Sequence, residues 1–351
     1  MTIRIFTMSI ASFVAVAALA GPSPDDYDPQ RAFQRTIAAA DSLMSAGHYQ
    51  DAAASAIALL ADNRLFQHQR WPLHQRAGLA LQKLGRYDEA LTHLEQAVLW
   101  AQTEAVNHRN LATLMVEMER PGRALSEYRE ACELDSRNWV YLLEYGNVLM
   151  VYGQDILAER AFTEAAAICP DCPEVHRAWS RLCLEQEDYT GALPHLEHLH
   201  ELRPDDQEIR SLLALARLRN DQAPGALALL AHTWHDGLGD RDMRIILEAD
   251  RSLGRTDHAV SLALSLGAGA GLSTDPDLWS QAALICIDAG KDVEALVLID
   301  RAIELDPRHA GYLNNRILVL RRLGRTREAD RDWELLIALD PARAGAPSDS
   351  P

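Results

Sequence analysis

The sequence predicts an all-α chain, an α-solenoid of about nine helical hairpins. Three observations lead there: an alanine that recurs at a fixed interval, helical spacing of apolar residues within each interval, and a turn that splits each interval in two. The alanines Ala90, Ala124, Ala158, Ala192 and Ala226 follow one another in steps of 34 residues. The series continues through Ala259, Ala295 and Ala329 and reaches back to Ala52. Four residues after each alanine stands Leu94, Tyr128, Phe162, Leu196, Leu230, Ala263, Ile299 or Trp333. Twelve residues before it a small residue recurs, as in Gly78, Ala112, Gly146, Ser180, Ala214 and Ala283. Apolar spacing of three and four is helical and not strand periodicity. Turns such as Gly85-Arg86-Tyr87 end the first helix, and Pro170, Pro204, Pro307 and Pro341 end the second. Small residues let two helix axes approach closely. A single hairpin cannot bury its apolar face, so neighbours must stack.

Taken in chain order, residues 1–20 come first. Ile5 to Ala20 is an uncharged apolar run of 16 residues that closes on Ala18-Leu19-Ala20. A membrane-spanning helix needs about 20 residues, so this run reads as an export signal peptide, with a retained anchor as the alternative. Residues 21–32, rich in Pro and Asp, read as a linker. Residues 33–239 hold six hairpins, starting near Phe33, Trp71, Ala105, Trp139, Pro173 and Gln207. Residues 240–275 hold a degenerate unit and a Gly-rich loop. There Leu247 occupies the small slot, and Asp250 stands where a large apolar residue is expected. That departure reads either as a hinge or as drift with a longer loop. Residues 276–341 hold two more hairpins, from Pro276 and Ala310, and residues 342–351 read as a disordered tail.

The small slot, the Gly-x-Tyr turn, the alanine and the closing Pro together resemble the tetratricopeptide repeat, over almost all of the chain that follows the linker. The resemblance implies a right-handed solenoid whose first helices line a concave, partner-binding face. On those helices the slots outside the core include Arg109, Thr113, Asn147, Arg177, Arg181, Arg219, Arg244, Arg251 and Asn314. Arginine forks match carboxylates bidentately, so one expectation is an acidic protein or peptide segment docked between Arg109 and Arg181. The competing expectation is that these arginines form salt bridges along the groove.

Composition narrows the function classes. Asp plus Glu number 51 against 34 Lys plus Arg, for a net charge of −17, and nucleic-acid binding needs the opposite footprint. Five cysteines in 351 residues do not make a disulfide scaffold. Cys169 and Cys172 form a C-x-x-C between hairpins, read as a candidate disulfide, with free thiols or a redox pair as alternatives. Cys132, Cys183 and Cys286 read as small apolar residues within helices. His195 and His198, with His232 one repeat on, could share a face, yet no further ligand completes a metal set, and the sequence calls for no metal or cofactor. No nucleophile elbow, zinc-protease motif or phosphate loop is present, so no catalytic residue is named.

The expectation is a non-catalytic interaction scaffold, periplasmic or secreted. It would bind a protein or peptide, not nucleic acid, with no stable membrane insertion once the signal is removed. Assembly of an envelope or secretion machine is the role envisaged by analogy. The alternative is a metal- or redox-linked accessory protein using the histidines or the cysteine pair. Self-association through the last repeat around Trp333 is a further expectation.

Overall fold

The computed structural model describes residues 28–231, 239–268 and 273–339. The expected signal peptide, the tail after residue 341 and His232 lie outside the described residues. Among these residues there are 18 α-helices and no strand. None of the helices is long and apolar enough to cross a membrane. The chain divides into two compact units, residues 1–182 and 183–351.

In the first unit, α1 (Pro29–Ser45) pairs with α2 (Tyr49–Leu60) and α3 (Gln67–Lys83) with α4 (Tyr87–Trp100). Next come α5 (Ala105–Glu117) with α6 (Pro121–Leu134), α7 (Trp139–Val151) with α8 (Asp155–Ile168), and α9 (Pro173–Glu185), whose last three residues belong to the second unit. The second unit continues with α10 (Tyr189–Leu202), α11 (Gln207–Arg219) and α12 (Ala223–Leu230). Then follow α13 (Asp240–Ser252), α14 (Thr256–Ala268), α15 (Pro276–Asp288), α16 (Asp292–Leu305), α17 (Ala310–Arg322) and α18 (Thr326–Leu339). From Ala105 onward every first helix begins at the residue the spacing predicts.

The first two hairpins begin four residues earlier than predicted, and the linker assigned to residues 21–32 needs correction. Pro29 already opens α1, and the Asp28 carboxylate accepts the Gln30 N–H at 2.9 Å. Asp-Pro reads as loop punctuation in isolation, but Asp at the N-cap and Pro at the first helical position also start helices well.

Each hairpin is built around its repeating alanine. All nine, Ala52 to Ala329, are at most 1% exposed. The slot four residues on faces the slot twelve residues before. A Cβ added at Gly78 would lie 2.7 Å from Leu94 Cγ, and one added at Gly146 would lie 2.5 Å from Phe162 Cε1. The degenerate unit keeps this complementarity with the sizes exchanged. Leu247 fills the small slot and Ala263 the large one, and both are buried in the second unit's core. Its Asp250, expected to be apolar, is instead a fully buried carboxylate hydrogen-bonded to His258 Nδ1. So α13 and α14 form a hairpin stabilised by a local polar contact.

The turn between the two helices of each hairpin uses one left-handed residue, five positions before the alanine. Six are glycines with φ from +67° to +78°, and Glu119, Glu187 and Asp221 adopt φ of +55° to +58°. Only glycine takes this conformation without steric cost.

Across the second hairpin, His74 on α3 and His93 on α4 approach with their Nδ1 atoms 3.0 Å apart. Burial, then the neighbouring His93 and Arg70, push the His74 pKa down to about 4. Burial also lowers that of His93.

Two outcomes follow. Leu247→Ala alone is expected to lose about 2–5 kcal/mol through a cavity, and Ala263→Leu alone about 1–3 kcal/mol through overpacking. Their combination should recover most of the loss, because the exchanged sizes restore the filled volume; urea unfolding of the three variants measures it. For His74, the folded form binds its proton more weakly than the unfolded chain, so stability is full above pH 6.5 and falls as pH drops toward 4. His74→Asn should flatten that fall by about 1–2 kcal/mol after discounting for a half-exposed ring, read from urea midpoints at pH 7 and pH 5.

Candidate functional site

On the first helices, polar residues form a row in each unit, some exposed and some, such as Gln75 and Asn107, buried. In the first unit this row is cross-linked from hairpin to hairpin. Arg76 on α3 pairs with Asp41 on α1 at 3.1 Å. Gln75 Nε2 donates to Asn107 Oδ1 on α5 at 3.3 Å. Arg109 on α5 sends its fork to Glu144 on α7, with Nε donating to Oε2 at 2.7 Å. This hydrogen bond raises the Arg109 pKa further above its ordinary value. Arg181 on α9 donates to Asn147 Oδ1 on α7 at 3.3 Å and lies against Met150 Sδ. Thr113 donates to the Arg109 carbonyl and meets the Tyr128 hydroxyl at 3.0 Å.

Arg177 differs. It is exposed, one turn before Arg181 on α9, and makes no ion pair among the described residues. The sequence-predicted arginines of this row therefore separate into two classes. Arg109 is committed to a neighbouring carboxylate. Arg177 presents its guanidinium outward.

The second unit repeats the committed class. Arg219 pairs with Glu248, Arg244 with Asp275 at 3.3 Å, and Arg251 with Asp288 at 3.0 Å. The Glu248 hydrogen bond raises the Arg219 pKa. The Tyr312 hydroxyl meets Asp277 on α15. Asn314 is half-buried on α17. Sequence reasoning could name the arginines but not their partners, which lie 29 to 37 positions away on the next first helix or at its N-cap.

The cysteine pair is joined: Cys169 and Cys172 form a disulfide with their Cα atoms 5.5 Å apart, closing the turn between α8 and α9. Cys172 is buried with Leu142, Ala165 and Val175. Burial pushes the Cys132 thiol up to about 12 and raises that of Cys286, so neither is poised as a thiolate nucleophile. Among the described residues no three His, Cys, Asp or Glu side chains converge on a metal position. His195 and His198 lie half-buried on α10, and Glu197 between them accepts from Arg217 at 2.9 Å.

Breaking the committed class should register as stability, not binding. Arg109→Ala is expected to lose about 1–2 kcal/mol, more than an exposed pair, whereas Arg177→Ala should stay within about 0.5 kcal/mol. Denaturant unfolding of the two variants tests the contrast.

Two tetratricopeptide-repeat family models match, one at residues 72–104 and one at residues 184–247. No curated protein matches. The C-terminal part of a TPR-repeat-containing protein from Cytophaga hutchinsonii superimposes with a TM-score of 0.50 at 16% identity, covering 80% of this chain and 98% of that one. A tetratricopeptide repeat protein from Parabacteroides merdae gives a TM-score of 0.47 at 13% identity, covering 82% and 98%. Pseudomonas aeruginosa pilF gives 0.43 at 21% identity, covering 57% and 91%. At these identities the likeness is one of fold.

Proposed function

From the premise that this chain is a tetratricopeptide-repeat protein, we propose that it is a non-catalytic scaffold that holds a partner protein's segment on the first-helix face of residues 33–182. The observation that carries this reading is the exposed, unpaired Arg177 on a row whose other charges are mostly neutralised within the fold. Arg181, one turn on, adds a second positive charge, and its contact with Asn147 brings an amide beside it. Half-buried Leu143 on α7, packed against the cluster that holds Ala178 and Leu182 of α9, supplies apolar surface nearby. A segment carrying a carboxylate, side-chain or C-terminal, matches that chemistry, because a guanidinium binds carboxylate through two parallel hydrogen bonds.

We place the protein outside the cytoplasm, in the bacterial periplasm. The apolar run before Ala20 supports export, and a disulfide between Cys169 and Cys172 suits an oxidising compartment. In that compartment a repeat scaffold of this kind serves the assembly of an envelope or secretion machine.

In-cell crosslinking of the tagged protein, with partner identification by mass spectrometry, tests the face. One envelope protein should be captured by the wild type and lost with Arg177→Glu combined with Arg181→Glu, while Arg109→Ala retains it. Unchanged capture by the double variant would move binding off this face. N-terminal sequencing of the recovered protein should begin at Gly21; a start at Met1 would contradict export by cleavage.

A further inference from the structure

The second hairpin carries a pair of imidazoles that face each other from its two helices. His74 on α3 and His93 on α4 direct their Nδ1 atoms at each other across 3.0 Å, with ring centroids 5.2 Å apart and the planes tilted by 41°. Both stems are fixed by the core, since Leu73, Ala77, Ala90 and Leu94 beside them are fully buried. Both rings are themselves only half-buried, which leaves the pair open to water.

The next hairpin shows the closed counterpart. Its corresponding slots hold His108 and Glu127, joined at 2.8 Å, and the second His108 nitrogen meets the Gln102 carbonyl at 3.0 Å. That imidazole has no unused nitrogen for a ligand. The His74–His93 pair places two like nitrogens together, an arrangement that one shared hydrogen satisfies and that also sets two nitrogen donors within reach of a single metal ion.

We propose that His74 and His93 form a two-histidine site for a divalent transition metal of tetragonal preference, copper(II) or nickel(II), with water completing the coordination. The spacing suits such a metal. At metal–nitrogen distances of about 2.0–2.1 Å, nitrogens 3.0 Å apart subtend an angle of about 90–97° at the metal. That is the angle between neighbouring ligands in square-planar or tetragonal coordination, the geometry of copper(II) and nickel(II) with nitrogen ligands. A tetrahedral zinc site at the same bond lengths would hold the nitrogens about 3.3–3.4 Å apart. Binding requires both Nδ1 atoms to offer lone pairs, so the hydrogen shared between them relocates through solvent to an Nε2, with no net proton released.

The charges facing the pair are already engaged. Arg70, one turn before His74, donates to the carbonyls of Leu60 and Asp62 at 3.4 Å and lies 5.9 Å over the Trp100 ring. Glu89, one turn before His93, pairs with Arg86 at 2.7 Å. A bound metal would staple α3 to α4, the hairpin that also supplies Gln75 to the first-helix row.

The test titrates copper(II), and separately nickel(II) and zinc(II), into the purified full chain. Copper(II) is expected to bind one equivalent, with an axial electron paramagnetic resonance spectrum split by two nitrogens, and to bind more tightly than zinc(II). His74→Asn or His93→Asn should each weaken copper(II) on the order of 100-fold, the loss expected when a second tethered ligand is removed. Equal copper affinity in the wild type and both variants would place the metal on other histidines and overturn the site. In case a variant fails to fold, nitrogen-15 spectra of the wild type give the same answer. Substoichiometric copper(II) should broaden the His74 and His93 ring signals before any other histidine, and earlier broadening elsewhere rejects the proposal.

Discussion

The contact between the small slot of each first helix and the large slot of its partner sets the distance at which the two helices of a hairpin pack. At Gly78 and Gly146 the approach leaves no room for even one extra carbon against Leu94 and Phe162. Interaxial distance follows from the side chains at the crossing, so this one contact fixes how far apart the helices stand. The nine buried alanines lie one turn away and seal the same interface. What the seventh hairpin shows is that the constraint applies to the summed volume and not to either residue, since Leu247 and Ala263 exchange sizes and remain buried. Cores tolerate such exchanges when volume is kept. The rest of the fold inherits its spacing from that contact.

The polar row on the first helices is one of its consequences. Because successive hairpins stack at a regular spacing within each unit, residues about one repeat apart come within hydrogen-bonding reach. Asp41 meets Arg76, Glu144 meets Arg109, and Asp288 meets Arg251. These pairs explain how an acidic chain displays an arginine-rich row without displaying a large positive field. A guanidinium held in a fork by a neighbouring carboxylate is a structural cross-link, and it answers a ligand only if the ligand displaces its partner. Arg177 lacks such a partner among the described residues, which sets it apart from Arg109 although both occupy the same position in their hairpins.

Polar groups placed at core-facing slots follow the same economy of partners. Asp250 is buried in the second unit, and His258 supplies its hydrogen bond from the second helix of the same hairpin. His108 and Glu127 do likewise in the third hairpin. A buried polar group without a partner costs about 1–3 kcal/mol, and in these two hairpins a contact across the hairpin offsets part of that cost. His74 and His93 belong to this series and differ in that the two partners are alike, one imidazole donating and the other accepting.

By itself the sequence determined the architecture. The 34-residue alanine step located seven first-helix starts to the residue, and it placed the turns and the buried slots, because helical periodicity is a local property written at every repeat. It misjudged residues 29–32, where Asp28 and Pro29 read as loop signals in isolation and act as a helix start in context. It named the arginines of the first-helix row and left their state open. Only the tertiary structure decided that Arg109, Arg219, Arg244 and Arg251 are paired, that Asp250 is buried against His258, and that His74 faces His93. The physical reason is that pairing depends on where a side chain points relative to another helix. Periodicity fixes which face a residue occupies, but the partner is chosen by the distance and rotation between packed helices.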